Sequence, residues 1–166
     1  TSMGSIVGGL YASGMSADEI EQALVDIKWE DIFSDLQPRE ERRFRRKIDD
    51  YLYLVRHRIG INDQKGEINL APALIQGQKF DLVLRRYLLP VSDVRDFDDL
   101  RIPFRAVATD IVSGRAVVMD SGDLPTAIRA SMAVPAVFAP VEMDDKLLVD
   151  GGIARNLPIS VVRKMG

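Results

Sequence analysis

Ser2 stands in surroundings that suit a nucleophile. A serine hydroxyl attacks a carbonyl group only where a substrate can reach it, and a sharp strand-to-helix elbow exposes it by holding the serine in a strained backbone conformation. Gly4, two residues later, would let the helix pass close to the strand, and Gly8, Gly9 and Ala12 would continue a thin face for close packing. The stretch therefore predicts a nucleophile elbow of the G-x-S-x-G type, of which the S-x-G half is present.

A carboxylate near the other end of the chain could serve as a fixed hydrogen-bond acceptor. Asp150 follows the short apolar run 147–149, which predicts a strand, and it precedes Gly151 and Gly152, which would turn the backbone sharply. Both halves also have an ordinary structural explanation, because Ser2 could be a helix N-cap and Asp-Gly is a common hairpin turn. The two motifs in one chain are more specific than either motif alone.

The base that would activate Ser2 is not expected to be a histidine. The single histidine, His57, lies between two arginines whose positive charges disfavour the imidazolium form, and we interpret it as a surface residue. A carboxylate therefore remains as the base. Asp110 also ends an apolar strand pattern and could compete with Asp150, but we interpret it as a turn-forming side chain.

Four motifs in a fixed order resemble the patatin-like phospholipases, and most closely the bacterial members of that family. The match extends over nearly the whole chain. Its motifs are Ser2-Met3-Gly4 leading to Gly8-Gly9, residues 130–135 (Ala-Ser-Met-Ala-Val-Pro) followed by Phe138 and Pro140, Asp150-Gly151-Gly152, and Asn156-Leu157-Pro158. The resemblance implies a serine lipid acyl hydrolase of the phospholipase A or lysophospholipase type, with an acyl-enzyme intermediate. It maps the family's Ser-Asp dyad onto Ser2 and Asp150, and it implies a phospholipid or other acyl-ester lipid as substrate and no cofactor or metal.

The oxyanion that forms during acyl transfer needs hydrogen-bond donors. The backbone N–H of Met3, directly after the nucleophile, is one expected donor, and Gly4 belongs to the same elbow. In the family the other donors come from a glycine-rich loop that follows the first strand and precedes the serine. Residues for that strand and loop are not in the sequence. We therefore expect the sequence to be a piece of a longer protein, and we expect the activity of this piece on its own to be impaired.

Three stretches of the sequence carry signals for helices. Ser16 and Glu19 form a capping box that predicts the start of a helix. Residues 76–89 predict an amphipathic helix that either packs on the core or acts as a mobile lid over an acyl pocket. Residues 159–165, after a proline, predict a final helix.

The second half of the chain has the pattern of strands joined by turns. Residues 102–108 and 115–119 predict one strand pair, and 141–143 and 147–149 predict a hairpin, with a helix that begins after Asp123 between the two pairs. Strands that alternate with helices indicate an α/β fold. We expect a three-layer α/β/α patatin-like sandwich with a central, mostly parallel sheet, truncated at its N-terminus.

The composition narrows the domain count and the function classes. A chain of 166 residues with 46% hydrophobic residues fits one domain, which we assign to residues 1–166 as a partial patatin-like domain. The net charge of −3 and the pI of about 5.2 argue against a nucleic-acid partner. The absence of cysteine excludes disulfides and thiolate nucleophiles. The sequence contains no run of about 18 apolar residues, the pattern that would predict a membrane-spanning helix.

The sequence also leaves open a membrane partner and two alternative functions. The most basic stretch, residues 39–47, is either a solvated face or a surface for peripheral contact with anionic membranes. The fold could also serve as a non-catalytic module that docks to lipid or protein, and the same nucleophile could transfer the acyl group to an acceptor other than water. The sequence does not indicate the oligomeric state.

Overall fold

The computed structural model describes residues 1–29, 59–61, 68–70, 77–135 and 137–166, and for the two short segments it describes the backbone. Its helices are α1 (Met3–Ala12), α2 (Ala17–Asp26), α3 (Gln78–Tyr87), α4 (Leu124–Ser131), α5 (Gly152–Arg155) and α6 (Ile159–Met165), and a 3-10 turn (Leu89–Val91) follows α3. Its strands are β1 (Ile59–Ile61), β2 (Ile68–Leu70), β3 (Ala106–Asp110), β4 (Ala116–Met119), β5 (Val141–Met143) and β6 (Lys146–Asp150). The basic stretch 39–47 and His57 lie outside the described residues.

The strands β3 to β6 form a sheet in the order β4-β3-β6-β5, and each neighbouring pair is antiparallel. β5 and β6 are joined by Asp144 and Asp145, whose φ angles of 50° and 57° are those of a two-residue hairpin turn. β1 and β2 pair separately and are also antiparallel. The mostly parallel sheet that we expected is therefore not formed by these strands. Parallel neighbours need a crossover of a dozen or more residues, whereas short turns join β3 to β4 and β5 to β6.

Helix α4 lies on β3 and β6, and α1 packs against α4 at its glycines. A Cβ atom at Gly9 would be 2.5 Å from Ile128 Cδ1, and one at Gly8 would be 3.3 Å from the Phe104 ring, so the thin face that we predicted on this helix is confirmed there. At Gly4 a Cβ would meet no described atom within 4 Å. The close approach of a strand that we expected at Gly4 is thus not found in the described structure.

The predicted capping box and the predicted amphipathic helix both form. The Ser16 hydroxyl accepts from the Glu19 amide at 3.3 Å, and Glu19 Oε2 accepts from the Ser16 amide at 2.7 Å, at the start of α2. On α3, Phe80 and Leu84 are fully buried, and the Phe80 ring centroid lies 6.4 Å from that of Phe138. In this structure α3 is therefore packed on the core. None of the described helices combines the length and apolar character that crossing a membrane requires.

Candidate active site

Ser2 has the backbone conformation of a nucleophile elbow. Its φ of 50° and ψ of −131° lie in a sparsely populated region that costs about 1–3 kcal/mol, and α1 begins at the next residue. An N-cap serine instead has an extended backbone, and its side chain accepts a hydrogen bond from the first helical turn. In the described structure the Ser2 side chain makes no such capping bond. The strained turn that we predicted is confirmed, and the N-cap explanation of Ser2 is not supported.

Two serines to which the sequence analysis gave no supporting role hold Ser2 in place. The Ser2 carbonyl accepts hydrogen bonds from the Ser5 amide at 2.9 Å and from the Ser5 hydroxyl at 2.6 Å. The Ser2 amide donates to the carbonyl oxygen of Ser131, the last residue of α4, at 3.0 Å. Both Ser5 and Ser131 are buried. These bonds satisfy both backbone polar groups of Ser2 in its strained conformation, and such support from the surrounding structure is what allows strain to persist.

Ser131 also connects the elbow to the loop that carries Asp150. Its carbonyl oxygen accepts a second, longer hydrogen bond from the Gly151 amide at 3.4 Å, and its hydroxyl donates to the Val107 carbonyl oxygen on β3 at 2.7 Å. One carbonyl oxygen is thus shared by the Ser2 amide and by the amide that follows Asp150. Two segments that lie 149 positions apart in the sequence, at Ser2 and at Gly151, meet at this atom.

Asp150 ends β6 and is held by bonds to three segments. It pairs with Ala108 on β3, and its amide donates to the Ala133 carbonyl at 2.9 Å. Its Oδ1 accepts from the Gly152 amide at 2.7 Å, and this bond fixes the direction of the carboxylate. The residue is buried, with 8% of its surface exposed. Within the described residues, no hydrogen bond joins the Ser2 hydroxyl to this carboxylate, a common situation in sites without a bound substrate.

The two glycines after Asp150 are needed for space rather than for an unusual φ. The chain turns at Gly151 from β6 into α5, as we expected, but Gly151 has φ −63° and ψ −21°, which any residue can adopt. A Cβ atom at Gly151 would instead lie 2.0 Å from the Val107 carbonyl oxygen and 2.9 Å from Thr1 Cγ2. At Gly152 it would lie 3.1 Å from Asp150 Oδ1. The acid loop, residues 150–154, therefore fits tightly between β3 and the residue before Ser2.

The N-terminus of α1 supplies donors beside Ser2. The first N–H groups of an α-helix have no partner within the helix, and they lie at the positive end of the helix dipole. Met3 and Gly4 occupy the first two positions of α1, directly after Ser2, so their amides are among those without a partner inside the helix. The Met3 side chain is about half exposed, at 48%.

Asp110 serves a turn, as we predicted. Its carboxylate accepts hydrogen bonds from the Val112 amide at 3.2 Å, the Ser113 amide at 3.3 Å and the Ser113 hydroxyl at 2.5 Å. The Ser113 hydroxyl bond, joined by the backbone bonds, lowers the pKa of the Asp110 carboxyl below its ordinary value. Asp110 lies opposite Leu148, two residues from Asp150 along β6, and it closes the turn between β3 and β4. Among the described residues, no group of three or more histidines and carboxylates is arranged to hold a metal ion.

The protein has an α/β fold, a strained serine before a helix, and beside it a loop that carries a buried aspartate. These are features of serine hydrolases whose nucleophile lies on a strand-to-helix elbow. The family model described as patatin-like phospholipase matches residues 1–163. The chain belongs to the patatin-like phospholipase family, whose members as a group are lipid ester hydrolases.

Relatives of this chain come from bacteria and from mammals. An NTE family protein of Mycobacterium tuberculosis is 40% identical over 92 residues, which are 55% of this chain and 24% of that protein. Patatin-like phospholipase domain-containing protein 6 of Homo sapiens is 29% identical over 169 aligned positions, which are 100% of this chain and 10% of that protein. The chain therefore spans about a quarter or less of the length of these relatives.

Proposed function

We propose that residues 1–166 are part of a single patatin-like catalytic domain of a serine lipid acyl hydrolase of the phospholipase A or lysophospholipase type. In this proposal Ser2 is the nucleophile and Asp150 is the general base. The observation that carries the proposal is the shared Ser131 carbonyl, which accepts hydrogen bonds from the Ser2 amide at 3.0 Å and the Gly151 amide at 3.4 Å. It joins the backbone of the strained serine to the backbone of the loop that carries the buried carboxylate, and this supports the pairing of the two residues in a Ser-Asp dyad.

The reaction proceeds through an acyl-enzyme. Ser2 Oγ bonds to the ester carbonyl carbon while its proton passes to the Asp150 carboxylate, and the carbonyl oxygen becomes an oxyanion held by the Met3 amide at the N-terminus of α1. The intermediate then breaks its bond to the leaving alcohol, which takes the proton from Asp150. A water molecule next gives a proton to Asp150 and attacks the acyl-serine. The second intermediate releases the fatty acid and returns the proton to Ser2.

Apolar side chains exposed beside these residues support a lipid substrate. Met3 follows the nucleophile and is 48% exposed, and Val134 follows the Ala133 carbonyl that holds Asp150 and is 38% exposed. Leu157, next to the Asn156 carbonyl that accepts from the Thr1 hydroxyl, is 76% exposed. Such side chains would contact an acyl chain as it enters. Contact with the surface of a membrane would follow from the same substrate.

Ester hydrolysis by the full-length protein and its variants tests the dyad. Ser2→Ala and Asp150→Asn are each expected to lower kcat toward a soluble p-nitrophenyl ester by about 10⁴-fold, because neither member of such a pair activates the nucleophile alone. Ser13→Ala and Asp145→Asn are matched controls. Ser13 is the C-cap residue of α1, and Asp145 is an exposed turn residue with positive φ, a conformation that asparagine tolerates. Full activity of the Ser2→Ala variant would refute the proposed nucleophile.

The same proteins separate hydrolysis from the two other functions. A non-catalytic docking module would bind lipid vesicles without labelling of Ser2 by a fluorophosphonate probe. An acyltransferase would form the labelled serine but would give an acylated product when an alcohol or lysolipid is supplied. A hydrolase is expected to be labelled at Ser2 and to release free fatty acid under both conditions.

A further inference from the structure

Thr109 on β3 is a buried hydroxyl residue that the mechanism above does not use. It lies opposite Val149 in the sheet, one residue after Ala108, which pairs with Asp150, and it is 2% exposed. Its Oγ1 donates a hydrogen bond to the carbonyl oxygen of Asp150 at 2.9 Å and accepts one from the Ala154 amide at 3.1 Å. A threonine hydroxyl has one proton to donate and lone pairs to accept, so both bonds form together. This single hydroxyl therefore joins the first and last residues of the acid loop.

The second of these bonds replaces a missing helix cap. Ala154 is the third residue of α5, and the amide at that position of a helix is ordinarily satisfied by an N-cap side chain. The N-cap of α5 is Gly151, which has no side chain, and the Val107 carbonyl 2.0 Å from its Cβ position leaves no room for one. Thr109, on the neighbouring strand, supplies the capping oxygen from outside the helix.

We propose that Thr109 is a positioning residue for the catalytic carboxylate, an inference that rests on the proposed role of Asp150. By holding the Asp150 carbonyl and the Ala154 amide, it sets the path of the acid loop. That path places the Gly152 amide 2.7 Å from Asp150 Oδ1, and this contact directs the carboxylate. Loss of the hydroxyl leaves the fold with its sheet and core but releases the loop that aims the base.

Two substitutions separate the hydroxyl of Thr109 from its shape. Thr109→Val keeps the shape and removes the hydroxyl, whereas Thr109→Ser keeps the hydroxyl and removes a methyl group. In the full-length protein we expect Thr109→Val to lower kcat for a p-nitrophenyl ester by about 10²-fold with KM unchanged, since a displacement of about 1 Å at a catalytic group can have this effect. Thr109→Ser is expected to retain most of the wild-type kcat.

Thr126→Val is the matched control for stability. The Thr126 hydroxyl also stabilises the start of a helix: it donates to Oδ2 of Asp123, the N-cap of α4, at 2.5 Å and accepts from Arg85 at 3.3 Å, and neither partner belongs to the acid loop. We expect this variant to melt at a lower temperature with kcat unchanged. If Thr109→Val does not fold, Thr109→Ala compared with Thr109→Ser tests the same hydroxyl, because both lack the methyl group.

The outcomes distinguish this inference from the dyad itself. An active Asp150→Asn variant would reject the proposed base. An inactive Asp150→Asn variant together with a fully active Thr109→Val variant would reject only the positioning role. That role would also be rejected if Thr109→Ser lost as much kcat as Thr109→Val, since the hydroxyl would then not be what matters.

Discussion

The backbone of Gly151 lies directly against the carbonyl oxygen of Val107, so that a Cβ atom at position 151 would stand 2.0 Å from this oxygen. The obstacle is the backbone of a paired strand, which cannot rotate aside as a side chain can. The φ of Gly151 is −63°, so its backbone conformation does not require glycine. The need for glycine directly after Asp150 is therefore steric, and it arises from how closely the acid loop approaches β3.

We expect Gly151→Ala to displace the acid loop. The added methyl group should lower the free energy of unfolding by about 1–3 kcal/mol, as overpacking in a tight interior does. It should also lower kcat for ester hydrolysis by about 10²-fold, because Asp150 would move with the loop. Urea denaturation and ester assays measure the two effects. Gly152→Ala, whose Cβ would lie 3.1 Å from Asp150 Oδ1, should be destabilised less. A Gly151→Ala variant as stable as the wild type would contradict the steric explanation.

The glycines of α1 should differ in their response to alanine. At Gly4 the Cβ would be in open space in the described structure, so Gly4→Ala should stabilise the protein by about 0.5–1 kcal/mol through helix propensity. At Gly9 the Cβ would be 2.5 Å from Cδ1 of the buried Ile128, and Gly9→Ala should be destabilising, since overpacking by about 1–3 kcal/mol outweighs that gain. Chemical denaturation measures the free energy of unfolding of both variants. Equal changes in this free energy would contradict the packing of α1 on α4.

The Ser131 hydroxyl should contribute to stability as well as to the site. Ser131→Ala removes the bond from this hydroxyl to the Val107 carbonyl at 2.7 Å inside the protein. Loss of a buried hydrogen bond of this kind should lower the free energy of unfolding by about 1–3 kcal/mol. Ser121→Ala, at an exposed serine, is the control and should change stability by about 0.5 kcal/mol or less. If the two variants unfold at the same urea concentration, Ser131 does not anchor α4 to β3.

The turn built on Asp110 should make stability depend on pH. The Ser113 hydroxyl lowers the pKa of the Asp110 carboxyl below its ordinary value in the folded protein. A carboxyl whose pKa is depressed by folding adds stability above the pKa of the unfolded chain, and this stability is lost as the pH falls through the folded value. Asp110→Asn should therefore destabilise the protein at neutral pH and have a smaller effect in acid. Unfolding curves over a pH series measure this, with Ser113→Ala expected to give part of the same change. An equal effect of Asp110→Asn at all pH values would contradict it.

Local signals in the sequence point to the candidate residues Ser2 and Asp150 but not to the residues that support them. A serine before a glycine-containing helix predicts an elbow because the demands of that turn are local to Ser2 and α1. Asp150 was recognised by the apolar strand before it and the glycines after it. Ser131 and Thr109 were not recognised as supports. Ser131 holds Ser2 through a backbone carbonyl, and such a group exists at every residue and leaves no pattern in the sequence.

The sequence by itself determined the elbow, the capping box of α2, the hairpin of β5 and β6 and the membership of a family, since each depends on residues close together or on motifs in order. Tertiary structure decided the antiparallel order of the sheet, the steric reason for Gly151 and the meeting of Ser2 with the acid loop at Ser131. These features depend on contacts between distant segments. Such contacts form only when burial of the core brings α1, α4, β3 and β6 together, and no local propensity encodes them.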